Sequence, residues 1–217
     1  MTEQVEAREI FQAAYENRYT WDTNFPGFSA DVHLKQDDQV FTGKVRVTGD
    51  LKVEVLDVAD DRAKEEIKQL VESVVTHRVR RSFEQAHGKN TFSLGQTDKT
   101  GAVEILVQGD AMGSNYKVRN REISQVSRVM GPTAFTIDHK ATLDTGEGYV
   151  SIRYDAVFRS SQTDELLAEK KFEDTYEKIG NYYLITHQVV QTSEAGQGVV
   201  RDEFSFSNVK LLEPATV

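Results

Sequence analysis

Five histidines, His33, His77, His87, His139 and His187, are the side chains here best suited to proton transfer or metal ligation near neutral pH. They are scattered, without the short pair spacing that makes a zinc site readable. His33 lies on the polar side of an alternating segment, and His139 is in register with Phe135, Ile137 and Ala141. Both read as surface or hydrogen-bonded structural histidines, with metal ligation assembled across a sheet as the alternative. Asp138, Asp144, Asp155, Glu173 and Asp174 fall in strand or turn segments. A histidine–carboxylate pair across neighbouring strands would support hydrolase or isomerase chemistry. Solvated strand faces account for the same residues, since the chain carries 35 acidic side chains.

The basic run His77-Arg78-Val79-Arg80-Arg81 has the chemistry to receive an anionic head group. It is equally the positive end that complements a helix macrodipole. Arg119, Arg121 and Arg128 are too dispersed to form a motif. The aromatics Tyr15, Tyr19, Trp21, Phe25 and Phe28 cluster within fourteen residues and include the single Trp. They suit either a core anchor or the rim of an apolar cavity. The compact catalytic signatures are missing: there is no P-loop, no GxGxxG after a strand, no GxSxG elbow, no HExxH and no EF-hand loop. Cysteine is absent, which excludes disulfides, thiolate catalysis and Cys-ligated metal centres.

The elements that must position these residues follow from periodicity. Ala7, Ile10, Phe11 and Ala14 recur at helical spacing within residues 3–19. Pro26 and Gly27 then favour extended chain and a turn. Over residues 28–58 the period becomes two, with Phe28, Ala30, Val32 and Leu34 on one face, then Val45 and Val47, then Val53 and Val55. Three short-linked strands of this kind must be antiparallel. A second helix over 61–86, capped by Asp60 or Asp61, aligns Ala63, Ile67, Leu70, Val71 and Val74. A long antiparallel meander over 91–211 follows, broken at turn signals such as Gly101, Gly131-Pro132 and Gly180-Asn181. The fold class is α+β, mainly antiparallel β, with about eleven strands and two principal helices. No linker, low-complexity tract or repeat divides the 217 residues, so one domain over 1–217 is expected.

A formal charge of -9 repels polyanions and argues against nucleic-acid partners. The start MTEQVEAREI lacks the basic and apolar regions of a secretory signal, and no stretch approaches the ~18 apolar residues of a membrane span. A cytoplasmic location is expected, with membrane contact at most peripheral.

The order helix, three-stranded meander, helix, long meander resembles the half-barrel fold of bacterial periplasmic lipoprotein carriers. The hairpins over 31–55, ending in Gly43-Lys44-Val45-Arg46-Val47, resemble the first hairpins of that family. Ala195-Gly196-Gln197-Gly198-Val199, followed by Phe204-Ser205-Phe206-Ser207-Asn208-Val209, resembles its Gly-Gln turn and closing strand. That likeness implies a curved, incomplete barrel that holds an apolar ligand under a helical lid. The sequence departs from those carriers in lacking a signal peptide and a lipobox Cys. Glu16-Asn17-Arg18-Tyr19-Thr20-Trp21-Asp22 with Asn24-Phe25-Pro26-Gly27-Phe28 resembles a family of unknown function from cyanobacteria and plant plastids, which implies no activity.

The leading expectation is a non-enzymatic carrier or sensor of a lipid, isoprenoid or pigment. Strand alternation nominates Trp21, Phe25, Phe28, Val45, Val53, Ile137, Ile152 and Tyr154 as contacts. A protein-interaction module and an enzyme using His33 or His139 are the alternatives. No catalytic residue, metal ligand or cofactor is nominated.

Overall fold

The structure is a computed structural model that describes residues 3–109, 114–194, 196 and 198–213. Among the described residues three helices, α1 (Glu3–Glu16), α2 (Asp61–Arg78) and α3 (Phe83–His87), accompany twelve strands. These are β1 (Gly27–Gln36), β2 (Gln39–Thr48), β3 (Val53–Leu56), β4 (Thr91–Thr97), β5 (Val103–Gln108), β6 (Ser114–Arg119) and β7 (Glu122–Met130). β8 (Thr133–Asp144), β9 (Tyr149–Ser160), β10 (Leu166–Ile179), β11 (Tyr182–Glu194) and β12 (Val199–Leu211) complete them. The hydrogen-bonded order β3-β2-β1-β12-β11-β10-β9-β8-β7-β6-β5-β4 has two ends, so the sheet is open. The chain resolves into two compact units, each assembled from separated segments.

The first unit comprises Met1–Tyr19, Arg81–Lys171 and Thr192–Gly198. Its core is the apolar stripe of α1, with Ala7, Phe11, Ala14 and Tyr15 packed on Phe83, Phe92, Ile105, Val107, Tyr116, Val118 and Ile123. Phe11 sits at the centre, its ring 4.4 Å from that of Tyr116 and 5.5 Å from that of Phe92. Strand register carries one row of apolar residues straight across six strands: Leu94, Ile105, Tyr116, Val126, Ile137 and Ala156. Because successive residues of a strand face opposite ways, the adjoining row Glu104, Lys117, Gln125, Asp138 and Asp155 occupies the other face.

The second unit comprises Thr20–Arg80, Phe172–Gln191 and Val199–Val217. Asp60 caps α2 by accepting from the Ala63 amide at 2.8 Å. Ala63, Ile67, Leu70, Val71, Val74 and Val75 form the buried stripe of that helix. Below it, Val55, Val45 and Ala30 are aligned across β3, β2 and β1, as are Val53, Val47 and Phe28. Val32 pairs Phe206, and Leu34 pairs Phe204, where β12 joins β1.

Three boundaries differ from expectation. The first helix stops at Glu16 rather than 19, because residues 17–19 leave it to bond β9: the Tyr149 amide donates to Asn17 O at 2.9 Å and the Tyr19 amide to Tyr149 O at 2.8 Å. The helix expected over 61–86 is two helices. Val79 turns extended at ψ 124°, and Ser82 starts α3 with a capping box in which its side chain accepts from the Gln85 amide while Gln85 bonds back. The irregular strand expected over 115–130 is β6 and β7, joined through Asn120 and Arg121 at φ 54° and 61°. That split brings the strand number among the described residues to twelve rather than eleven. Ala195 and Gln197 of the expected Gly-Gln turn lie outside the described residues.

Candidate functional site

Five of the nominated contacts belong to the second unit. Trp21 is 3% exposed, and Phe25, Phe28 and Val45 are buried with it; Val53 is half-buried. Trp21 stacks on Phe25 with centroids 4.1 Å apart and meets Phe28 edge-on at 6.3 Å. Tyr182 closes the set against Phe25 at 4.9 Å. The indole Nε1 donates to Tyr183 O at 3.2 Å, and the Trp21 amide donates to Arg78 O at 2.8 Å. A desolvated indole needs such a partner, and the cluster reads as a knot that ties the extended segment after α1 to β11 and to the end of α2.

The basic run disperses from the same helix end. Arg78 is buried, donates to His77 O at 3.2 Å and to the Tyr176 hydroxyl at 3.1 Å, and lies over the Tyr176 ring. Arg80 reaches Thr20 Oγ1 at 3.2 Å, and Arg81 is exposed. Burial pushes the Tyr176 phenol up to about 12, and it passes the network on to Asp174 and Gln188. These cations do not converge on one anion site.

Ile137, Ile152 and Tyr154 belong to the first unit, and all are half-buried. Ile137 continues the core row beyond the strands under α1, which packs on β4, β6 and β7. On the same face Phe135 lies opposite Phe158, their rings 6.1 Å apart, and Tyr154 lies opposite His139 at 6.0 Å. Ile152 is the extra residue where the β8–β9 register shifts, so simple alternation does not govern it. The result is an apolar strip of Val126, Phe135, Ile137, Tyr154 and Phe158 in which no side chain is fully buried.

The first unit also holds a polar cleft. Its two lobes measure about 260 and 240 Å³ and share Arg119, Ser124, His139 and Lys140. The cause is a parting of strands: the β7–β8 ladder runs from Met130↔Thr133 to Gln125↔Asp138, while β7 continues to Glu122 and β8 to Asp144. Beyond the last rung the Ile123 amide turns to the Tyr149 hydroxyl at 2.9 Å, and Glu122 accepts from Thr142 Oγ1 at 3.0 Å.

Of the histidines, His33 is exposed on β1, and His139 Nδ1 lies 2.5 Å from Ser151 Oγ. The short histidine–carboxylate contact belongs instead to His187 and Glu203, at 2.9 Å across β11 and β12. His187, then Arg201 at 2.6 Å, hold the Glu203 carboxyl below its ordinary range, so this carboxylate is committed to its neighbours. His87 is buried among the rings of Phe11, Tyr15, Phe83, Phe92 and Tyr116. Burial, then the charges of Arg18 and Arg128, push its imidazole down to about 4. Among the described residues no group of three or more metal-ligating side chains comes together, and no helix is long and apolar enough to cross a membrane.

The profile of the family described as "Protein of unknown function (DUF3386)" matches residues 2–212. The chain belongs to that family. The expectation of a family of unknown function, drawn from residues 16–28, is met by DUF3386. No curated protein matches the chain. Among solved structures it is similar to a LolA superfamily protein from Nitrosomonas europaea, at 11% identity and a TM-score of 0.39, over 95% of this chain and 94% of that one.

Proposed function

We propose that this DUF3386 protein is a non-enzymatic binding protein that takes an apolar ligand, of the lipid, isoprenoid or pigment class, against the strip on β7, β8 and β9. The observation that carries the reading is the half-burial of Val126, Phe135, Ile137, Tyr154 and Phe158 on a face whose neighbouring strands are sealed by α1. Each square ångström of apolar surface taken from water contributes about 25 cal/mol, so a ligand that completes the burial of these rings gains affinity without any catalytic group. The missing catalytic signatures are consistent with that role.

The test is titration with Nile red, a neutral apolar dye. Saturable fluorescence enhancement in the native protein, lost in Phe135→Asp and in Ile137→Asp variants that keep native circular dichroism, is the expected result. Enhancement unchanged by both substitutions overturns the reading. Native mass spectrometry of protein purified without detergent then identifies the natural ligand by mass. A second reading, a protein-interaction module, draws on one observation: Val129 and Met130 stand 53% and 59% exposed at the β7–β8 turn. Cross-linking through Met130→Cys tests that reading separately.

A further inference from the structure

The polar cleft of the first unit is built by two irregularities that aim at one place. Between β6 and β7 the register moves from Val118↔Ile123 to Lys117↔Gln125, which leaves Ser124 as an extra residue. Between β8 and β9 it moves from His139↔Tyr154 to Ala141↔Arg153, which leaves Lys140 extra. β-Bulges redirect side chains and are over-represented beside functional sites. Here the two bulged residues, Ser124 and Lys140, are half of the set that lines both lobes; Arg119 and His139 are the other half.

What the cleft will accept follows from which of its groups are already engaged. Its carboxylates are. Asp98 accepts from the Thr100 amide at 2.8 Å, from Thr100 Oγ1 at 2.6 Å and from Lys117 Nζ at 3.1 Å, and these bonds hold its carboxyl far below the ordinary range. Asp138 accepts from Gln125 Nε2 at 2.7 Å, and Glu122 accepts from Thr142. His139 is taken up by Ser151. The donors are less committed. Lys140 stays 3.9 Å from Asp138 and 3.7 Å from Asp155, at the limit of an ion pair. Arg119 stands directly across the β6–β7 turn from Glu122, yet its guanidinium makes no hydrogen bond or ion pair among the described residues. The turn itself is fixed: Asn120 and Arg121 both take positive φ, as a two-residue type I′ turn demands, and Asn17 Nδ2 holds Arg121 O at 3.0 Å. Arg119 is therefore presented from a defined backbone.

A cleft whose acceptors are engaged, and which offers an uncommitted guanidinium beside an ammonium held only by two long ion pairs, is matched by an anion. We infer that the β7–β8 cleft is a binding site for a small oxyanion, the phosphate of a phosphomonoester or the carboxylate of an organic acid, gripped by Arg119 and Lys140, while the Ser124 hydroxyl is spent on Lys117 O at 3.2 Å. Arg119 supplies the planar fork that suits both groups, and the lobe volume of about 260 Å³ limits the ligand to a small molecule. The site is distinct from the apolar strip, because none of Val126, Phe135, Ile137, Tyr154 and Phe158 lines either lobe.

Nuclear magnetic resonance titration of the full chain, with inorganic phosphate and succinate as separate probes in the millimolar range, tests the inference. Saturable shifts of the Arg119, Ser124 and Lys140 amides are expected with at least one probe, and the responding probe assigns the ligand to the phosphate or the carboxylate class. Arg119→Gln and Lys140→Gln, each exposed at the surface and so compatible with folding, should weaken that binding about tenfold or more each, the worth of one charge-assisted hydrogen bond. Nile red binding should be unchanged in both. No saturable shift with either probe, or shifts that persist in the double variant, overturns the inference and leaves the apolar-ligand reading untouched.

Discussion

Two aromatic clusters of similar composition end in opposite states. In the second unit Trp21, Phe25 and Phe28 are stacked, hydrogen-bonded and sealed. In the first unit Phe135, Phe158 and Tyr154 line a strand face and stay half-buried. The difference is not residue type but coverage. Trp21 lies in a segment that leaves a helix and folds back over its own contacts, so its neighbours come from several directions. The residues on β8 and β9 have neighbours in their own sheet and only partial cover above it. Equal hydrophobicity thus does two jobs: one cluster fastens the chain, and the other keeps apolar surface in reserve.

Substitutions place numbers on that contrast. Trp21→Ala removes a buried ring and its hydrogen bond to the Tyr183 carbonyl, so a loss of about 3–5 kcal/mol is expected in urea unfolding. A loss below about 1 kcal/mol would show that the knot is not a fastening.

Next comes acid, which probes a sealed site in the first unit. The His87 pKa falls from 6.5 in the unfolded chain to about 4 in the fold. The folded state therefore binds fewer protons than the unfolded state between these limits, and stability falls as pH drops from about 6.5 to about 4. At about 1.4 kcal/mol for each tenfold change in proton affinity, the loss totals about 3 kcal/mol. Urea midpoints measured across that range, in the parent and in His87→Leu, check it; an equal decline in both would remove His87 as the cause.

The smallest effect belongs to the strip. Phe158→Ala should cost only about 1–2 kcal/mol, because its ring is half-buried rather than sealed, while reducing Nile red binding several-fold. A cost equal to that of Trp21→Ala would erase the contrast and make the strip an ordinary core.

Much of this was legible in the residues. Alternation over 28–58 located β1 to β3 and placed Phe28 and Val45 on the buried side. Helical spacing located the buried stripes of α1 and α2. The break between α2 and α3 also had a signal, the Ser82 and Gln85 spacing of a capping box, hidden inside an otherwise helical-looking run. The β6–β7 turn was harder, since Arg121 stands where a type I′ turn ordinarily takes glycine. The bulges at Ser124 and Lys140 have no local signature at all. A bulge is a relation between two strands, set by how β6 and β9 end up paired, and the cleft it helps to open was invisible for that reason. The nominated contacts suffered the same limitation: alternation separates the faces of a strand but says nothing of what covers each face.

The pairing of Arg18 with Tyr149 joins positions 131 residues apart within one unit. Gly148, at φ 138°, lets the backbones meet: a Cβ there would come within 2.6 Å of Asn17 O. The consequence concerns time rather than stability. Helix α1 leaves the ribosome well before β4 to β7, against which its stripe packs, and well before β9, which clasps its tail. Closing so long a loop is slow. An early-made helix with Phe11 on its apolar side must wait for its sheet, and it is during that wait that the nascent chain is most in need of a chaperone.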